Sequence, residues 1–168
     1  MHETPADIEA LQAVIDASYA RAGEHLLRIH DPAHRLDAAG VAEHLRGMVL
    51  LTLATVTGDG RPLTGPVDGI FYRGEFHFGS APDSMRFRHI RERPQVSATH
   101  LPGEYLAVSV HGMAELVDIR AEEHAGLRQT ILDIYLPRYG AEWEEQIMDA
   151  GAHYARIRAE RMFAFHME

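Results

Sequence analysis

The 168-residue sequence contains no cysteine, which excludes disulfides, thiolate metal sites and a thiol nucleophile. It also lacks lysine, so every fixed cation is one of its 16 arginines. A GC-rich coding bias is enough to explain that, yet it has a chemical consequence. A phosphate held by a side-chain cation in this protein is held by a guanidinium. No stretch approaches the ~18 apolar residues that cross a bilayer. The start, MHETPADIEA, is polar and acidic where an export signal is basic and then apolar. A cytoplasmic protein without membrane contact is therefore expected. Positive charge is scarce overall, and the net charge of −9 argues against a nucleic-acid partner, because that affinity rests on clustered cations. Neither Gly-x-Ser-x-Gly nor HExxH occurs, which sets aside the serine-hydrolase and zinc-protease patterns.

A hydrophobic fraction of 46% supplies one core, and the length suits one domain better than two. Residues 6–30 carry Ile8, Leu11, Ile15, Tyr19, Ala22, Leu26 and Ile29 at steps of three and four, the stripe of an amphipathic helix. Pro32 ends it. Asp37 is placed to cap a short helix that Gly47 closes. From Met48 the period becomes two. A strand over 48–57 turns at Gly58-Asp59-Gly60 into a second over 62–72, and Arg73-Gly74 turns that into a third over 75–79. A helix over about 83–93 stops at Pro94, and strands return over 95–100 and 105–117. Asp118 is read as the cap of a helix carrying His124, Leu127, Ile131 and Ile134, which ends before Pro137. A short helix around 141–150 precedes two closing β segments, 154–157 and 162–165.

Strands joined by turns of two to four residues cannot form a doubly wound parallel sheet. The pattern predicts a mainly β, α+β protein: an antiparallel, Greek-key-like barrel of six to seven strands with peripheral helices. Residues 1–168 form a single domain, with 1–36 as its helical N-terminal extension.

One segment reverses the overall charge. Arg86, Arg88, Arg91 and Arg93 lie within the helix that Ser84 opens. Guanidinium groups hold phosphate oxygens in pairs, and a helix start adds free N–H groups. The plainer reading is a solvated helix face, which suits Arg88 and Arg93, and Arg61 as a hairpin arginine. The 12 histidines show no ligand spacing: Pro32 interrupts His25, His30 and His34, while His111 and His124 lack a partner at the right distance. No metal site is expected. Trp143 and Tyr139 suit either a ligand pocket or packing on the barrel.

Three stretches together, LATVTGDGRPLTGPVDGIFY, HFGSAPDSMRFRHIRERPQVS and AVSVHGMAELVD, resemble the FMN-binding split β-barrels, the superfamily of pyridoxamine 5′-phosphate oxidase. Ser84, Arg86, Ile90, Pro94 and Val96 match a family pattern, with His89 where relatives carry Asn. The closing ARIRAERMFAFHME is also similar. The resemblance implies an FMN-binding oxidoreductase acting on a small molecule, with the deazaflavin coenzyme F-420 as the alternative cofactor. A non-catalytic carrier or sensor of flavin or haem is the rival reading. It implies that Ser84 and Arg86 contact the flavin phosphate. Thr64, Gly65, Pro66 and Val67, with Phe78, Gly79 and Ser80, would flank the ring, Gly65 and Gly79 letting it approach the backbone. No catalytic acid or base is singled out. The Arg-x-His signature of the oxidase itself is missing, since the sequence closes on Phe165-His166-Met167-Glu168. A barrel this small fills its own interior, so the ring must lie outside. A homodimer with cofactor sites at its interface is expected, through Leu106, Val108 and Val110 or through Tyr105, Ser109 and His111.

Overall fold

The computed structural model describes residues 2–149 and 153–167. Six antiparallel strands close into a barrel: β1 (Met48–Val56), β2 (Pro62–Tyr72), β3 (Glu75–Ser80), β4 (Gln95–Gly103), β5 (Leu106–Asp118) and β6 (His153–His166). Around the barrel they run β1-β2-β3-β6-β5-β4. The ring is completed where Thr52–Ala54 of β1 meet Ser97–Thr99 of β4. Alternation decides what faces inward. Leu51, Leu53, Phe76, Phe78, Val108, Val110, Ile157 and Met162 fill the interior, none more than 1% exposed. Burying such side chains contributes roughly 1.5–3 kcal/mol each.

Helices close the remaining surfaces. α1 (Pro5–Ala20) lays Leu11, Ile15 and Tyr19 toward β6, where the Ser18 hydroxyl accepts the Met162 N–H at 2.9 Å. α2 spans Glu24–Ile29 and α3 spans Ala38–His44; in α3, Ala38, Val41 and Ala42 are buried. α4 (Met85–Glu92) stoppers the barrel through Phe87, whose ring stacks on Phe78 at 6.2 Å. α5 (Ala125–Tyr139) packs Leu127, Ile131 and Tyr135 on Ile70, Val117 and Tyr154, forming a second core. α6 (Glu142–Asp149) follows. Ala150, the last residue of the helix expected there, lies outside the described residues. No helix among the described residues is long and apolar enough to cross a membrane.

Four expectations need correction. The helix over 6–30 is two, because Arg21 ends α1 and Gly23, extended at φ −71° and ψ 154°, caps α2. Glycine costs helix stability, and the break turns Ile29 outward to 60% exposure, so the stripe serves the core only through α1 and the flank of α2. Asp118 caps nothing. Its carboxylate accepts the Arg120 N–H at 3.0 Å and turns the chain after β5, so α5 begins only at Ala125, after a 3₁₀ turn. Pro137 does not stop α5, since it sits in the last turn, where it costs one hydrogen bond of a helix already ending at Gly140. The two closing β segments are one strand carrying a bulge. His111 pairs with Arg161 and Gly112 with Ala159, leaving Glu160 extra. A Cβ on Gly112 would stand 1.9 Å from the Arg158 carbonyl oxygen, so only glycine fits.

The fifth strand's orientation, open in the sequence, is settled. Leu106, Val108 and Val110 are buried inside the barrel. Ser109 and His111 point outward, bonded to Thr99 at 2.9 Å and Ser97 at 2.8 Å across β4. Neighbouring outer positions include Leu50 and Leu101, 62% and 61% exposed.

Candidate functional site

α4 starts where β3 ends, and Ser84 fixes the junction. Its hydroxyl oxygen accepts the Phe87 N–H at 3.3 Å, satisfying an otherwise free donor of the first turn. An accepting hydroxyl keeps its own proton to donate. Two residues on, Arg86 turns back across the strands. Nη1 donates to the Ser80 hydroxyl and Nη2 to the Pro66 carbonyl, both at 3.3 Å. One guanidinium thus ties the helix start to β2 and β3.

Those acceptors are neutral. Arg86 is partly buried and has no carboxylate partner among the described residues; burial alone lowers its pKa. The neighbouring arginines differ in another way. Arg88 and Arg91 also meet neutral acceptors but are exposed to water, and Arg93, just past the helix, has a carboxylate. Arg93 pairs with Glu92 at 2.7 Å, Arg91 donates to the Pro82 carbonyl at 3.0 Å, and Arg88 rests on the Met85 sulfur. Arg61 pairs with Asp59 inside the first hairpin at 2.8 Å. A cation removed from water without a counter-ion is held at a cost, and an anion would relieve it.

The structure sorts the residues expected here. Gly65, Pro66, Ser80 and Arg86 come together, with Ser84 at the same helix start. Thr64 is exposed on β2 beside them. Gly79 pairs with Tyr154 rather than opening to a ligand: a Cβ there would meet the Tyr154 ring at 3.0 Å. Beside Gly65 the same space holds the Arg86 guanidinium, 3.3 Å away. Both glycines therefore make room for side chains of this chain. Val67 and Phe78 send their side chains into the core and offer the site only backbone. His89 is 8% exposed and bonds Thr55 at 3.0 Å, so it plugs the barrel mouth and does not join Arg86.

Sequence reasoning missed a carboxylate next door. Asp68 is on the same outward row of β2 as Thr64 and Pro66, and accepts the Tyr135 hydroxyl at 3.2 Å. Burial, and then the Asp68 charge, push the phenols of Tyr135 and Tyr154 up. The two tyrosines arrive from α5 and β6, and no local pattern near Asp68 announces them.

The family model described as pyridoxamine 5′-phosphate oxidase matches residues 39–166. The chain belongs to that family. Solved structures share its fold. A conserved hypothetical protein of Mycobacterium tuberculosis is 22% identical, with a TM-score of 0.66 over 82% of this chain and 89% of that one. An FAD-binding protein of Mesorhizobium loti is 22% identical, at 0.59 over 80% and 97%. The haem storage protein HutZ of Vibrio cholerae is 18% identical, at 0.58 over 74% and 92%. No curated protein gives a significant match.

This member of the pyridoxamine 5′-phosphate oxidase family also has a cleft of about 480 Å³ beneath α1, lined among others by Arg73, Glu75, His77, His124, Arg156 and Arg158. Its charges are matched. Arg73 meets Asp7 at 3.2 Å, Arg158 meets Glu75 and Glu115 at 3.0 and 3.1 Å, and Arg156 meets Glu115 at 2.9 Å. Burial pushes the His77 imidazole down to about 4, so it is neutral at pH 7. Its Nδ1 lies 3.1 Å from the Glu75 carbonyl, which can only accept, so Nδ1 carries the proton.

Proposed function

We propose that this chain binds FMN through its phosphate at Arg86 and Ser84, and uses the bound flavin to oxidise or reduce a small molecule. The observation carrying this reading is the partly buried guanidinium of Arg86 without a carboxylate partner. A guanidinium, two nearby serine hydroxyls and a helix start are the donor set that a phosphate ester requires. When bound, the flavin supplies the hydride chemistry. The chain's own residues anchor the phosphate and hold β2 and β3 in register beneath the ring. The deazaflavin F-420 carries a phosphodiester that the same donors would accept.

The cofactor site adjoins a bare sheet face, which supports a two-fold dimer. Thr52 pairs with Pro66 and Ala54 with Thr64, so the outer row of β2 continues into the exposed rows of β1, β4 and β5 carrying Leu50, Leu101, Ser109 and His111. A second subunit on that face would wall both cofactor sites, one at each end of the symmetric interface. A carrier of flavin or haem is the second reading, favoured by the fold shared with the haem storage protein.

The deciding measurement is the absorption spectrum of the purified protein, followed by titration with FMN, F-420 and riboflavin. FMN binding much tighter than riboflavin binding, with reduction by NAD(P)H, supports the proposal. Equal affinity for FMN and riboflavin overturns the phosphate anchor, and a Soret band in place of flavin absorbance supports the carrier. Sedimentation equilibrium with flavin stoichiometry tests the dimer, and a stable monomer that binds FMN tightly refutes the shared site.

A further inference from the structure

The cleft beneath α1 contains one polar group that its ion pairs leave unused. His77 comes from β3 and is 4% exposed, with the Tyr72 ring packed edge-on at 5.9 Å. Its Nδ1 proton goes to the Glu75 carbonyl, so Nε2 carries a lone pair and calls for a donor. Among the described residues none donates to it. Yet every fully enclosed side-chain nitrogen or oxygen among those residues has a partner. The Nε2 atom is therefore not sealed in the core; it opens on the cleft that His77 lines.

Two further features define what fits there. The lining carboxylates Asp7, Glu75 and Glu123 equal in number the lining guanidiniums of Arg73, Arg156 and Arg158, so the cleft offers an ion no net charge to neutralise. Leu11, Val14, Leu127 and Ala159 add an apolar wall. The volume of about 480 Å³ lies within the range of small-molecule sites.

A ligand that displaces water from a buried acceptor must return the hydrogen bond or lose its worth. A phenolic hydroxyl, with a pKa near 10, is a stronger donor than an aliphatic one, and its flat ring suits the space beside Tyr72. We propose that the cleft binds a small uncharged ligand of the phenol class, its ring on Leu11, Val14 and Leu127 and its hydroxyl donating to His77 Nε2. Neither Arg86 nor Ser84 lines this cleft, so the site is separate from the proposed cofactor anchor and independent of the flavin reading.

The test uses the full chain labelled with nitrogen-15, the His77 ring resonances being identified by their loss in His77→Phe. Phenol is titrated at pH 7, then anisole, which keeps the ring and cannot donate. Benzoate and benzylamine follow, as an anion and a cation of similar size. Phenol should move the Nε2 resonance saturably toward that of a protonated nitrogen. Anisole should bind about fivefold more weakly, the worth of one hydrogen bond, and leave Nε2 in place; the two ions should bind more weakly still. Ala10→Phe fills the cleft from an exposed rim position and should abolish the phenol shift at unchanged melting temperature. Arg86→Ala, which weakens FMN binding, should leave that shift intact. An Nε2 resonance that phenol does not move, a shift that survives Ala10→Phe, anisole binding as tightly as phenol, or tighter binding of either ion would each overturn the proposal.

Discussion

Beneath α1, Arg73, Arg156 and Arg158 each lie within 3.2 Å of a carboxylate, while at the start of α4 Arg86 is held only by a hydroxyl and a carbonyl. The first region surrounds a cleft of about 480 Å³. A concave space of that size is a natural place to look for a ligand. Charge points the other way. In the cleft each guanidinium already has the partner a bound anion would supply, and binding would add a negative charge beside Glu75 and Glu115. Near α4 the folded chain has desolvated a cation and left its charge uncompensated. Where two regions compete as candidates, the unbalanced charge is more informative than the volume.

The largest effect distinguishing them belongs to the cleft. His77 is 4% exposed, and burial lowers its pKa from 6.5 to about 4. The folded value lies below the unfolded one, so between these pH values the unfolded chain binds a proton that the folded chain refuses. Stability therefore falls as pH drops through this window, by about 3 kcal/mol over its whole width and about 2 kcal/mol between pH 7 and 5. His30 and His111, also lowered mainly by burial, slope the same way. A variant isolates the His77 share. His77→Phe keeps a ring against Tyr72 and cannot titrate, so its urea midpoint should depend on pH less steeply by that amount. An unchanged slope would show that the imidazole is wetter than its burial implies.

Next in size is the loss of the anchor itself. Arg86→Ala should weaken FMN binding by ~2 kcal/mol, about 30-fold, as for a charge-assisted hydrogen-bonded pair. Riboflavin, without the phosphate, should lose little. Arg93→Ala, which removes a cation already paired with Glu92, should leave FMN affinity within about twofold. Isothermal titration of the three proteins with both ligands decides it. Equal losses from Arg86→Ala and Arg93→Ala would mean that general charge, not a placed guanidinium, attracts the phosphate.

How far the sequence reveals this contrast depends on the range of each interaction. Period-two alternation made the strands legible, and Ser84 at the start of α4 was legible from cap chemistry. Those are local effects within a few residues. The partners of Arg86 were not visible, because Pro66 is 20 residues away and meets it only after the strands close into a ring. Tyr135 reaches Asp68 across 67 residues. Gly79 read as room for a ligand because sequence gives the missing side chain and not its neighbour, the Tyr154 ring. His89 stands at a family position where relatives carry Asn, and the phase of α4 buries it against Thr55. The alternating strand pattern broke at Glu160 because a bulge shifts inward and outward positions by one, which two short segments mimic. Arg86 itself was legible as a cation; that it lacks a carboxylate was not.

The smallest effect is the most direct test of the contrast. Glu115 is bound by both Arg156 and Arg158, and its side chain is 47% exposed. Replacing it as Glu115→Gln removes one charge and keeps most of the shape. Exposed pairs of this kind contribute little, so the stability loss should be about 0.5 kcal/mol and shrink in high salt. The electrostatic consequence is more telling. Arg156 and Arg158 would then share Glu75 alone, leaving the cleft with an unmatched guanidinium like that of Arg86. Inorganic phosphate at millimolar concentration should then raise the melting temperature of Glu115→Gln more than that of the parent chain, by ligand linkage. The double variant Glu115→Gln, Arg158→Ala, which restores the balance, should lose the added response. If phosphate stabilises the parent and Glu115→Gln equally, matched charge is not what keeps the cleft closed to anions.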